Sequence, residues 1–255
     1  MTQPVKIWFE AEGQLLRLRL SRPKANLIDA AMIAALDATL AEHSANSQIS
    51  AVVLDADGPH FSFGASVEEH LPEQCAAMLT GLHRLVLRMI ESPVPLLVAV
   101  RGQCLGGGLE VALAGHLMFV APDATLGQPE MKLGVFAPAA SCLLPELIGL
   151  QRSFDLLVSG RSITGTEAAA IGIAHKATAD PELAALAYFE EHLKPKSASS
   201  LRYAVKAARL DYIARIKEKI RAVERLYLGE LMGTHDAVAG LEAFIAKRTP
   251  QWQHR

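Results

Sequence analysis

The 255 residues are 51% hydrophobic and 20% charged, with 25 Lys and Arg against 27 Asp and Glu and a formal net charge of −2. That balance excludes the clustered basic excess of a nucleic-acid-binding surface, no stretch approaches the roughly 18 apolar residues of a membrane span, and Met1–Glu10 lacks the basic-then-apolar order of a secretory leader. Three cysteines (Cys75, Cys104, Cys142) in neither metal-ligand nor disulfide spacing predict a reduced, cytoplasmic protein without a structural metal, long enough to bury one sizeable core.

Residues 7–20 predict a β-hairpin turning at Gly13, because Leu16, Leu18 and Leu20 alternate with Arg17 and Arg19 as on a half-buried strand. After the loop Ser21–Asn26, Asp29 caps a helix whose Met32, Ile33, Leu36 and Leu40 share one face. Ala51–Leu54 is short and wholly apolar, the signature of a central parallel strand. Asp55 and Asp57 punctuate the following turn, and His60–Ser66 is irregular and rich in small residues. Pro72 opens a long helix that ends at Ser92-Pro93. A buried strand at 96–100 then runs into Gly106-Gly107-Gly108 and a helix start. Short strands at 116–121 and 125–128 precede a loop, Gln128-Pro129-Glu130, and two helices divided at Gly149. A short helix from Thr164 stops at Gly172, a last strand occupies 173–177, and beyond Asp180 the pattern is helical only. The expectation is a two-part α/β protein, with a core over 1–195 and a helical region over 196–255.

Three glycines at a helix start are costly, at roughly 1 kcal/mol each relative to alanine. Their use is to let a ligand approach bare backbone N–H groups. Loops that follow adjacent parallel strands lie at one sheet edge. The Phe63-Gly64-Ala65 turn and the Gly107 helix start can therefore offer one N–H each to a single oxygen, as in an oxyanion hole for a carbonyl that becomes an enolate. Glu110 sits three residues after Gly107 on the same helix face, and Glu130 follows twenty residues later. Two carboxylates beside a polarised acyl group can deprotonate water and return a proton to carbon. Each piece has a plainer reading when taken alone: a packing turn, a solvated first-turn carboxylate, a surface loop. The Lys-Ser/Thr of a phosphate loop is absent, Ser62 and Ser66 lack a nucleophile-elbow context, and His60, His70, His83 and His116 have no ligand spacing.

Together the pieces resemble the crotonase (enoyl-CoA hydratase/isomerase) family over nearly the whole chain. Ser21-Arg22-Pro23-Lys24-Ala25 resembles that family's CoA-contacting loop, Phe61–Ser66 its Phe-x-Ala-Gly-Ala-Asp, Gly102–Glu110 its glycine-rich stretch with Arg101 in place of Asn, and Gly127–Glu130 with Gly134 the segment of the second glutamate. The resemblance implies a spiral of ββα repeats, a helical C-terminal trimerisation region, and a homotrimer or dimer of trimers. It implies an acyl-CoA thioester substrate with no cofactor beyond the CoA the substrate carries. The N–H groups of Ala65 and Gly107 would hold the thioester oxygen, and Glu110 and Glu130 would be the acid/base pair. Arg22, Lys24 and Ala25 would contact CoA, and Phe244 and Lys247 would reach a neighbouring subunit's CoA. Departures bear on the acyl group. Phe63 replaces a small alanine, Ser66 an aspartate, and Ala137-Pro138-Ala139-Ala140-Ser141 the usual Pro-Gly-Ala-Gly-Gly. Residues 61–70 resemble the family's hydratases of cyclic dienoyl-CoA thioesters in anaerobic benzoyl-CoA breakdown. This implies water addition to cyclohexa-1,5-diene-1-carbonyl-CoA. A straight-chain enoyl-CoA hydratase or isomerase, and a non-catalytic acyl-CoA binder, are the alternatives.

Overall fold

In the computed structural model, which describes residues 3–255, the alternating leucines do form a hairpin. Strand β1 (Val5–Glu10) pairs antiparallel with β2 (Leu15–Leu20), Val5 opposite Leu20. The apolar strands β3 (Ala51–Ala56) and β4 (Leu96–Val100) add in parallel, and β4 is buried at every position because both its faces are covered. The chain then leaves the main sheet for β5 (Gln103–Leu105), returns in β6 (Leu117–Val120) and leaves again for β7 (Thr125–Gly127). With β8 (Ser162–Thr164), β5 and β7 make a three-stranded sheet in the order β5-β7-β8. The two-residue β9 (Lys176–Ala177) ends a six-stranded sheet in the order β1-β2-β3-β4-β6-β9. The successive pairs β4/β5 and β6/β7 each place one strand in each sheet before a helix follows. The three-residue strands β5 and β8 are too short to register in a period-2 pattern.

Helix α1 (Ala30–His43) is capped as expected, with the Met32 N–H donating to Asp29 Oδ1 at 2.9 Å. It packs on α2 (Pro72–Ile90), whose apolar stripe runs from Cys75 to Ile90. Helix α3 (Gly107–Leu113) is buried throughout. Helices α4 (Pro138–Ile148) and α5 (Leu150–Ser159) divide at Gly149, where φ is 77°. They are followed by α6 (Gly165–Ile171), α7 (Pro181–Tyr188), the 32-residue α8 (Ala198–Gly229) and α9 (His235–Ile245). Helix α8 packs on α4 and α2, and its Ile216 and Ile220 belong to the main core. No helix among the described residues is long and apolar enough to cross a membrane.

Two expectations are corrected. Gln128-Pro129-Glu130 is not a free loop, because residues Pro129–Leu133 wind into a 3-10 turn that closes at Gly134 with φ 76°. Asp55 does not punctuate a turn. It lies on β3 in a buried ion cluster, where Arg17 Nη2 donates to Asp55 Oδ2 at 2.6 Å and to Glu182 Oε1 at 2.7 Å. Arg17, on the nominally polar face of the hairpin, is 2% exposed because α7 lays Glu182 over it.

Candidate active site

The crossing of the two sheets brings the turn after β3 against the start of α3. A Cβ on Gly107 would stand 3.1 Å from Ala65 Cβ and 3.2 Å from Ala65 N, so the two backbones touch where no side chain intervenes. Neither the Ala65 N–H nor the Gly107 N–H donates to an acceptor among the described residues. Gly107 is the first residue of α3, where intrahelical partners are missing by geometry and the helix dipole favours negative charge. Ser62 props the turn from below: its Oγ donates to Asn26 O at 2.8 Å and accepts from the Gly64 N–H at 3.1 Å. Ser62 is therefore a structural residue, consistent with its lack of a nucleophile context.

Glu110, one turn into α3, is 2% exposed, and its Oε1 accepts the Ala140 N–H at 2.9 Å. The Ala137–Ser141 departure thus sits directly on the first glutamate. Glu130, from the 3-10 turn, brings its carboxylate to the backbone of Gly106, where a Cβ would stand 2.7 Å from Oε1. The Gln128 side chain meets the same carboxylate. With its amide nitrogen facing Glu130, the orientation that satisfies both groups, it donates to Oε2 at 3.1 Å and to Oε1 at 3.2 Å. Burial raises the pKa of Glu110, with the Ala140 and Ala139 N–H groups pulling the other way. Burial raises that of Glu130 further, and the neighbouring Glu110 charge adds to it. Two acids that oppose each other's ionisation in one dry site are poised to exchange a proton near neutrality.

Glu130 and Ala65 open onto a cleft of about 360 Å³ that Phe63, Gly106, Val135 and Phe244 also line, while Glu110 and Gly107 lie behind its wall and off the lining. Larger hollows, of about 640 Å³ beside α1 and α2 and about 650 Å³ along α8, hold none of these groups. Phe63 and Phe244 are 44% and 53% exposed and flank the mouth. Phe244 therefore lines the cleft of its own chain. Lys247 is exposed and lies off the lining, which its neighbour Arg248 joins. In the first loop Arg22 is ion-paired with Asp29, Lys24 is exposed, and Ala25 O accepts the Phe63 N–H at 2.9 Å, tying that loop to the oxyanion turn. Ser66 Oγ donates to Glu68 Oε2 at 3.0 Å and is not on the cleft wall.

Sequence reasoning missed His70, Lys132 and Arg248 on the lining and Gln128 against Glu130. Of these, Gln128 and His70 lie inside stretches that match the family pattern, and Lys132 and Arg248 had no local signal.

The chain matches the Enoyl-CoA hydratase/isomerase profile over residues 10–255. It is 61% identical over 254 residues to the cyclohexa-1,5-dienecarbonyl-CoA hydratase of Thauera aromatica, across 100% of this chain and 98% of that one. It is 29% identical over 247 residues to a probable enoyl-CoA hydratase of Bacillus subtilis (strain 168), across 92% and 94% of the two chains. Among solved structures, an enoyl-CoA hydratase from Mycobacterium avium subsp. paratuberculosis K-10 shares the fold with a TM-score of 0.85 at 20% identity, over 98% of each chain. On the full-length profile match and the 61% identity, the chain belongs to the crotonase (enoyl-CoA hydratase/isomerase) family.

Proposed function

We propose that this enzyme is a hydro-lyase that adds water to a cyclic conjugated dienoyl-CoA, converting cyclohexa-1,5-diene-1-carbonyl-CoA to the 6-hydroxycyclohex-1-ene-1-carbonyl product in aromatic degradation. The observation that carries it is the buried Glu110 and the half-buried Glu130 beside two unpaired N–H groups, together with the identity to the Thauera aromatica hydratase. The Ala65 and Gly107 N–H groups receive the thioester oxygen and stabilise the enolate as charge develops there. One glutamate takes a proton from water, and the oxygen bonds the β carbon. The electron pair of that double bond moves into the enolate. It then moves out along the second double bond to take a proton from the other glutamate at the far end of the diene. A double bond remains between the α carbon and its other ring neighbour.

CoA runs from the Arg22–Ala25 loop to the mouth flanked by Phe63 and Phe244, with Ser66 and Lys247 at its edges. Glu110→Gln and Glu130→Gln are each expected to lower turnover by about 10²-fold or more, the scale of general acid–base catalysis. A CoA-thioester panel with product identification tests the substrate. Crotonyl-CoA hydrated as fast as the cyclic diene would point to a straight-chain hydratase. Absence of solvent-deuterium exchange into every bound thioester would point to a binder.

The assembly we propose is a trimer or a pair of trimers. Its support is the apolar surface of Leu150, Phe154 and Val158 on α5 and Tyr203 and Leu210 on α8, all at least 52% exposed. Light scattering on the eluting protein is expected to read three or six chains, and a monomer would refute this.

A further inference from the structure

His70 stands on the lining of the same cleft as Glu130 and Ala65. It closes a short 3-10 turn, Glu68–His70, that follows the oxyanion turn. Its Nδ1 lies 2.7 Å from Ser66 O. A carbonyl oxygen only accepts, so Nδ1 carries the ring hydrogen and Nε2 carries a lone pair. Burial holds the pKa of the ring below the ordinary histidine value, which leaves that lone pair free of a proton. Ser66 is off the cleft wall and His70 is on it. The Nδ1 edge of the ring is therefore turned away from the cleft, and the opposite edge, with Nε2, is turned into it.

The neighbours of His70 show what such an acceptor meets. The cations on the lining, Lys132 and Arg248, are exposed, as are Phe63 and Phe244 that flank the mouth. His70 is half-buried and shares its wall with the apolar Val67, Leu133, Val135 and Leu241. The ring of the diene offers only C–H to this wall, whereas the water that attacks it offers two O–H groups. One O–H goes to the glutamate that takes the proton, and the other glutamate holds its own proton for the far end of the diene. The second O–H of the water needs a separate acceptor. We propose that His70 Nε2 accepts a hydrogen bond from that O–H, first in the attacking water and then in the ring hydroxyl of the product. His70 is then a further substrate-contacting residue, and one that favours a hydroxylated ring. The inference rests on the hydratase reading above.

Two amides separate the two ring nitrogens. Asparagine keeps a donor where Nδ1 was, for Ser66 O, and has nothing at the place of Nε2. Glutamine reaches the place of Nε2 and gives up the bond to Ser66. His70→Asn is expected to unfold within about 2 °C of wild type. With cyclohexa-1,5-diene-1-carbonyl-CoA its kcat is expected to fall about tenfold with KM changed less than about twofold, since the diene itself carries no hydroxyl. His70→Gln is expected to recover about half of the wild-type kcat or more, even at a lower unfolding temperature. In a Glu110→Gln background, where turnover is suppressed, 6-hydroxycyclohex-1-ene-1-carbonyl-CoA is expected to bind about fivefold tighter than cyclohex-1-ene-1-carbonyl-CoA. Adding His70→Asn is expected to erase that preference and adding His70→Gln to keep it. Full kcat in His70→Asn, a His70→Gln no more active than His70→Asn, or a preference that survives His70→Asn overturns the inference and leaves the hydratase reading standing. A wild-type protein that does not hydrate the diene overturns the reading and the inference together.

Discussion

Glu110 and Glu130 are acids that the fold makes weaker, and this has a consequence for stability with a definite sign. Both have pKa values raised above the usual 4.5 by burial, so the folded chain keeps their protons to a higher pH than the unfolded chain does. Below the ordinary carboxylate range both states are protonated and the full stability is present. As pH rises through the raised values the unfolded state ionises first and stability is lost. Glu110→Gln retains an acceptor for the Ala140 N–H and cannot ionise. It is expected to unfold about 2–4 °C above wild type at pH 8, with the difference shrinking toward pH 4. A calorimetric pH series checks this, and an equal or lower melting temperature at pH 8 would argue against the buried-acid account.

At the scale of the element, the site depends on places where backbone meets backbone. Gly107→Ala would gain helix propensity, roughly 1 kcal/mol, while its Cβ presses on Ala65 at 3.1 Å. Stability is expected to hold while kcat falls at least about tenfold, because one oxyanion donor is displaced. Kinetics and thermal unfolding on one preparation separate the two effects. Gly240 is where α9 docks on the turn that carries Glu130. A Cβ there would stand 2.1 Å from Leu133 O, a backbone atom that cannot swing away. Gly240→Ala is expected to cost about 1–3 kcal/mol by overpacking and to lower turnover as the Glu130 turn shifts. Helix α9 thus closes the cleft of its own chain and also positions one of its acids.

At the scale of the molecule, the ion cluster of Arg17, Arg19, Asp55 and Glu182 ties the hairpin to β3 and to α7, some 160 residues away in sequence. Arg17→Met leaves Asp55 buried with Arg19 as its remaining partner. The expected loss is about 3 kcal/mol, the low end for breaking a buried pair, read from urea unfolding. Much of the fold could be read locally. The hairpin, the Asp29 cap, the Pro72 helix start and the break at Gly149 follow from alternation, capping and positive φ, which act over a few residues. Arg17 could not be read that way: its burial is decided by Glu182, a residue far along the chain.

What the sequence determined alone was the chemistry on offer: two glutamates, two glycine-bearing turns after parallel strands, and a family pattern that names both. Periodicity and motif spacing are properties of the chain itself, so they survive without coordinates. Tertiary structure alone decided which groups share one dry volume. Glu130 reaches Gly106 through a 3-10 turn, Glu110 is held by an N–H from the unusual Ala140 segment, and Phe244 flanks the cleft mouth of its own chain. Burial and charge proximity depend on elements that meet only when folded. For that reason the raised pKa values of the two glutamates belong to the structure.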